Sequence, residues 1–137
     1  MKILEILTKR RRIGNIGERA AATFLRRKGY RILERNYVTL GYETDIIART
    51  ADTVAFVEVK TRTVGKASLK EPRPASSVTP EKQRKLISCA KSYMATNYTL
   101  KAKIRFDVIE VMLSEDGRVQ SVNHLISAFN YNTAYRN

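Results

Sequence analysis

Two strand-like runs, Glu43–Arg49 and Val54–Arg62, are separated only by Thr50-Ala51-Asp52-Thr53. A connection this short permits an antiparallel hairpin and nothing else, because parallel neighbours need a crossover of a dozen or more residues. A loop of two residues (Ala51-Asp52) and a loop of four give the same register. Arg49 then faces Val54, Ile47 faces Phe56, and Asp45 faces Glu58. A loop of three or five residues would shift that pairing. Alternation along the second run puts Val54, Phe56, Glu58, Lys60 and Arg62 on one face and Ala55, Val57, Val59 and Thr61 on the other. The first face therefore changes from apolar to charged halfway along.

In this register two carboxylates stand opposite each other with Cβ atoms roughly 5 Å apart, and like charges so placed are destabilising. A divalent cation, the neighbouring Lys60 or a shared proton could offset the repulsion. Lys60 lies about 7 Å from Glu58 along the strand, near enough to serve the same site. Two carboxylates with a lysine suit magnesium-dependent phosphodiester hydrolysis. Mg²⁺ prefers oxygen ligands and takes one or two carboxylates plus water and phosphate. It activates the attacking water, and a lysine steadies that water or the developing charge. The plainer reading is a cross-strand ion pair at the surface, since a glutamate two residues before a lysine is common.

The rest of the chain frames this hairpin. Met1–Arg12 ends in Lys9-Arg10-Arg11-Arg12 and reads as a basic arm. From Ile13 the apolar spacing is helical as far as Lys28-Gly29. Tyr30–Val38 reads as a strand with Tyr30, Ile32 and Val38 inward. Thr63–Val78 reads as a long irregular loop. Thr79-Pro80-Glu81 opens a second helix that runs to about Tyr98. Ile104–Leu113 and Arg118–His124 read as two further strands, and Leu125–Phe129 as a short helix. The expected fold is α/β (α+β), a mixed β-sheet flanked by helices in the order α-β-β-β-α-β-β. The expected organisation is an arm at 1–12, one domain at 13–129 and a tail at 130–137.

With 26 Lys plus Arg against 13 Asp plus Glu, the net charge of +13 favours a polyanionic partner, because neutralised phosphates release counterions. Lys82, Arg84 and Lys85 on the second helix, Arg62 at the end of the charged strand, and Lys66 and Lys70 in the long loop are the candidate phosphate contacts. The lone Cys89 excludes an internal disulfide, and the lone His124 limits histidine-based catalysis. No apolar run is long enough to span a membrane, and no signal peptide is legible, so the expected location is the cytoplasm. Asp107, in an apolar strand, is expected to pair with a basic residue; Cys89 and His124 are expected to be structural.

Gly17-Glu18-Arg19-Ala20-Ala21, Glu43-Thr44-Asp45-Ile46-Ile47-Ala48, Phe56-Val57-Glu58-Val59-Lys60-Thr61-Arg62 and Arg105-Phe106-Asp107-Val108 together resemble the YraN-type family of bacterial proteins. That family is placed in the restriction-endonuclease-like PD-(D/E)XK superfamily, alongside archaeal Holliday junction resolvases. The resemblance implies that Asp45 and Glu58 are metal ligands and that Lys60 is the lysine of the motif. It also implies that Glu18 joins the site from the first helix and that Gln83 is an auxiliary polar residue. Two positions depart from the pattern: Tyr42 stands where the family has glycine, with Gly41 one step earlier, and Thr44 stands where the superfamily has proline. The implied activity is endonucleolytic hydrolysis of DNA, branched or structured DNA included, with Mg²⁺ or Mn²⁺ as cofactor. A homodimer is implied by analogy with resolvase-like relatives. The alternative is a non-catalytic nucleic-acid-binding module that keeps the nuclease fold.

Overall fold

The computed structural model describes residues 2–65 and 78–135. In chain order the elements are α1 (Ile3–Arg27), β1 (Arg31–Thr39), β2 (Tyr42–Thr50), β3 (Thr53–Thr63), α2 (Pro80–Thr96), β4 (Lys103–Leu113), β5 (Val119–Phe129) and α3 (Tyr131–Ala134). The strands form one mixed sheet in the order β1-β2-β3-β4-β5. Only β3 and β4 run parallel, and the crossover between them contains α2; the other neighbours are antiparallel. This is the restriction-endonuclease-like arrangement expected, with one short helix added at its end.

Strict alternation along β3 builds a core on each face of the sheet. Val54 and Phe56 pack with Leu86, Ile87 and Tyr93 of α2 and with Phe106. Ala55 and Val57 pack with Ala21, Ala22 and Leu25 of α1 and with Ile109 and Val111. Each fully buried side chain of this size contributes on the order of 1.5–3 kcal/mol. Helix α2 starts where expected: Pro80 is its first residue, and the Thr79 hydroxyl accepts from the Lys82 N–H at 3.2 Å. Cys89 is buried on α2, and Tyr93 packs edge-on against Tyr37 and Phe56.

Four segments differ from the sequence reading. The residues read as a basic arm are helical from Ile3 onward. Leu, Lys, Arg and Glu are good helix formers, and the basic run simply extends α1 past the sheet, leaving Ile3, Leu4 and Leu7 exposed. Leu125–Phe129 belongs to β5 and is not helical. Its alternation is broken by a register shift opposite Phe106 and Val108 and by Ser127 at φ 54°, so the strand pattern is hidden. Val38 is exposed and Leu33 packs inward, because β1 carries a bulge between Ile32 and Glu34. In the tail, Asn130 and Thr133 form a reciprocal cap, and Ala134 is fully buried. The long loop read at Thr63–Val78 lies mostly outside the described residues.

One polar cluster is buried in β4. Asp107 is fully buried, and its two oxygens receive four contacts. Oδ1 accepts from Arg105 Nε at 2.9 Å and from the Ser127 N–H at 3.0 Å. Oδ2 accepts from Arg105 Nη2 at 2.7 Å and lies 2.8 Å from His124 Nε2. Arg105 also donates to the Tyr30 hydroxyl at 2.6 Å. Burial pushes the Asp107 carboxyl up, but the hydrogen bonds from His124, Arg105 and Ser127 outweigh it and hold the group below the usual carboxylate range. The cluster ties β4 to β5 and to the start of β1, which gives Asp107 and His124 the structural roles expected of them.

Candidate functional site

The hairpin has the register expected from its short turn. Thr50 pairs with Thr53, Arg49 with Val54 and Ile47 with Phe56, leaving a two-residue loop in which Ala51 takes φ 47°. The backbone ladder stops at Ile46↔Val57, one step before Asp45 would pair with Glu58. Beyond that point a side chain replaces the strand partner: the Val59 N–H donates to Asp45 Oδ2 at 2.7 Å. The end of β2 therefore holds the Asp45 carboxyl in the opening between β2 and β3, beside Glu58. At the other hairpin Leu40 and Gly41, both at positive φ, make the turn, so the glycine displaced by one step serves the turn and Tyr42 begins β2.

The two carboxyls perturb each other. Burial is the largest cause that raises Asp45, followed by the hydrogen bond and the charge of Glu58; together they push it up to about 9. At neutral pH the pair therefore retains a proton unless a cation takes its place. Glu58 Oε2 is itself buried and accepts no hydrogen bond. Its neighbour is the ammonium of Lys82, with Nζ at 3.3 Å in an ion pair.

Glu18 approaches from the opposite layer. A Cβ built on Gly17 would lie 1.8 Å from Thr61 Oγ1, so only glycine lets α1 come this close to β3. The next residue, Glu18, is raised first by burial and also by the charges of Glu43 and Glu58, while Arg35 and a hydrogen bond from Asn36 lower it. With its amide turned to satisfy its neighbours, Asn36 donates to Glu18 at 2.7 Å and to Glu43 at 3.3 Å. Asn36 sits at φ 53° in β1, which aims this side chain out of the strand's ordinary alternation. Among the described residues no three His, Cys, Asp or Glu side chains form a ready-made metal cage. The protein contributes a carboxylate pair with Glu18 at its margin.

The other candidates divide. Lys60 is partly buried on β3 and stands beside Glu110 in the parallel register. Arg62 is paired with Glu110 at 3.3 Å, so its charge is already balanced within the sheet. The Gln83 amide donates to the Val78 carbonyl at 2.7 Å, and its oxygen accepts from Thr133 at 3.3 Å; it braces the start of α2 against α3. Arg84 donates to the Ala134 carbonyl at 2.9 Å and lies over the Tyr135 ring. Lys85 pairs with Glu81 at 3.5 Å and lies over Tyr42. Lys66 and Lys70 lie outside the described residues.

Four participants escaped sequence reasoning: Asn36, Arg35, Glu43, and Lys82 as a partner of Glu58. Glu43 lies in a quoted motif, and Glu34-Arg35-Asn36 is a polar run inside a strand, which was the available signal. Nothing local could show that Lys82 reaches Glu58, because the contact spans the β3–α2 crossover.

Comparison with known proteins identifies the family. The uncharacterised protein family UPF0102 matches residues 17–111, from the close-packed Gly17 to β4. A UPF0102 protein of Chlorobium phaeobacteroides is 41% identical over 121 residues, covering 85% of this chain and 92% of its own. One from Caldanaerobacter subterraneus is 40% identical over 118 residues, covering 85% and 93%. One from Clostridioides difficile is 41% identical over 116 residues, covering 85% and 95%. The matched stretch contains Gly17, Glu18, Asp45, Glu58 and Lys60, and the chain belongs to the UPF0102 family, the YraN-type family its motifs resemble.

Proposed function

We propose that the protein is a metal-dependent endonuclease that hydrolyses phosphodiester bonds in DNA, including branched or structured DNA. The observation that carries this reading is the Asp45–Glu58 pair, held together by a hairpin register and containing a buried carboxylate oxygen with no hydrogen bond. That oxygen, the raised Asp45 and the all-oxygen donor set fit a hard divalent cation such as Mg²⁺ or Mn²⁺. Such a cation supplies Lewis-acid polarisation of a phosphate oxygen and of water.

The chain's own residues do the remainder. Asp45 is fixed by the Val59 N–H through one oxygen, which leaves the other to face Glu58 or an ion. Lys60, two residues along the same strand, orients the attacking water or steadies charge on the phosphorus oxygens. Glu18, held by Asn36, extends the acidic margin and positions water from the α1 side. The +13 net charge draws in the polyanion. A nucleic-acid substrate and a single, buried cysteine are consistent with a cytoplasmic location.

Cleavage assays on duplex, single-stranded, flapped and four-way DNA in Mg²⁺ or Mn²⁺ test the reading. Wild-type protein is expected to cut at least one substrate, and Asp45→Asn and Glu58→Gln to lose cutting while still binding. Salt-sensitive binding by all three with no cleavage on any substrate would favour a non-catalytic binding module instead.

A further inference from the structure

The ammonium of Lys82 is the cation paired with Glu58. Its Nζ is 3.3 Å from Glu58 Oε2, the oxygen that accepts no hydrogen bond, and the lysine side chain remains 44% exposed. Its backbone is fixed in the first turn of α2 by the Thr79 cap, so the side chain swings from an anchored base. Neighbouring Gln83 and Arg84 are tied to α3 by hydrogen bonds, whereas the Lys82 side chain is held by its ion pair with Glu58. A divalent ion on the same oxygen would repel the ammonium across a few ångströms, which favours its departure.

We propose that Lys82 is a displaceable counter-cation: it neutralises Glu58 while no metal is present and moves onto a backbone phosphate of bound nucleic acid when a divalent ion takes its place. This rests on the metal reading of the Asp45–Glu58 pair and adds to it a residue from a different layer of the fold. It makes metal and phosphate binding mutually reinforcing, because each releases the lysine for the other. An ammonium closed over the site most of the time weakens the apparent metal affinity by the fraction of time the site is open.

Calorimetric titration with Mn²⁺ alone, at pH 8 and low salt, compares wild type with Lys82→Met and Lys82→Arg. With Lys82 as placeholder, Lys82→Met binds Mn²⁺ about tenfold more tightly than wild type, and Lys82→Arg stays near wild type. Duplex DNA titrated with and without Ca²⁺ then shows a metal-dependent gain in wild type that Lys82→Met lacks. Should Lys82→Met prove unstable, Lys82→Gln provides the same comparison. Equal or weaker Mn²⁺ binding by the neutral variants overturns the proposal and leaves the metal reading intact. No Mn²⁺ binding by any of the proteins overturns both.

Discussion

Asp107 and Glu58 are both enclosed acids on neighbouring parallel strands, and the fold treats them in opposite ways. Asp107 receives four contacts on two oxygens, two from Arg105 of its own strand and two from His124 and Ser127 of β5. Glu58 has a buried oxygen with no hydrogen bond, a second carboxyl beside it and, among the described residues, the part-exposed Lys82 as counter-charge. A saturated acid is a structural fixture. An acid held next to another acid, with a gap in its coordination, stores unfavourable energy that a ligand can relieve. The difference distinguishes the two acids more sharply than burial alone.

Mutating the two acids should break this comparison most visibly. Asp107→Asn removes half the acceptor capacity from beneath Arg105 and should cost roughly 3–5 kcal/mol, read as a large drop in melting temperature. Asp45→Asn removes one of two opposed carboxylates and should leave stability unchanged or raise the melting temperature by about 2–5 °C. A loss on the Asp107 scale at Asp45 would show that the pair is structural after all.

Next in size is the close approach that carries Glu18. Gly17→Ala forces a methyl into Thr61 and should cost about 1–3 kcal/mol in chemical unfolding. Gly14→Ala, where an added Cβ meets nothing within 4 Å, should be neutral or slightly stabilising.

The acid limb of stability sharpens the contrast further. Asp107 is below its unfolded value in the fold, so its contribution is complete above the ordinary aspartate range and is lost as pH falls through the lowered value. Denaturation midpoints measured between about pH 5 and pH 2 should fall steeply in wild type and less steeply in Asp107→Asn. A modest loss is expected at the cap of α2: Thr79→Ala should cost about 1 kcal/mol and loosen the turn that carries Lys82.

How much of this was legible in the chain depended on sequence distance. The Asp45–Glu58 juxtaposition was readable because a short turn fixes register and nothing else competes over so few residues. Asp107 was readable as structural because an acid in an apolar strand needs a base, and Arg105 is two residues away on the same face. The fold order was readable from alternation and from the Thr79-Pro80 helix start. The strand character of Leu125–Phe129 was not, since Ser127 leaves the strand conformation to donate to Asp107. Lys82 reads from the sequence as a phosphate contact; its pairing with Glu58 is visible only once the β3–α2 crossover brings the two together. Gln83 and Arg84, singled out for the site and for phosphate, brace α3, a helix whose four residues carry no detectable periodicity.

Thermal unfolding with and without Mn²⁺ tests most directly whether the Asp45–Glu58 pair takes up a divalent cation. At about one hundred times the dissociation constant, bound metal should stabilise wild type by about 2.7 kcal/mol, while Glu58→Gln melts at one temperature in both conditions. A wild-type melting temperature indifferent to Mn²⁺, or an equal rise in Glu58→Gln, would contradict it.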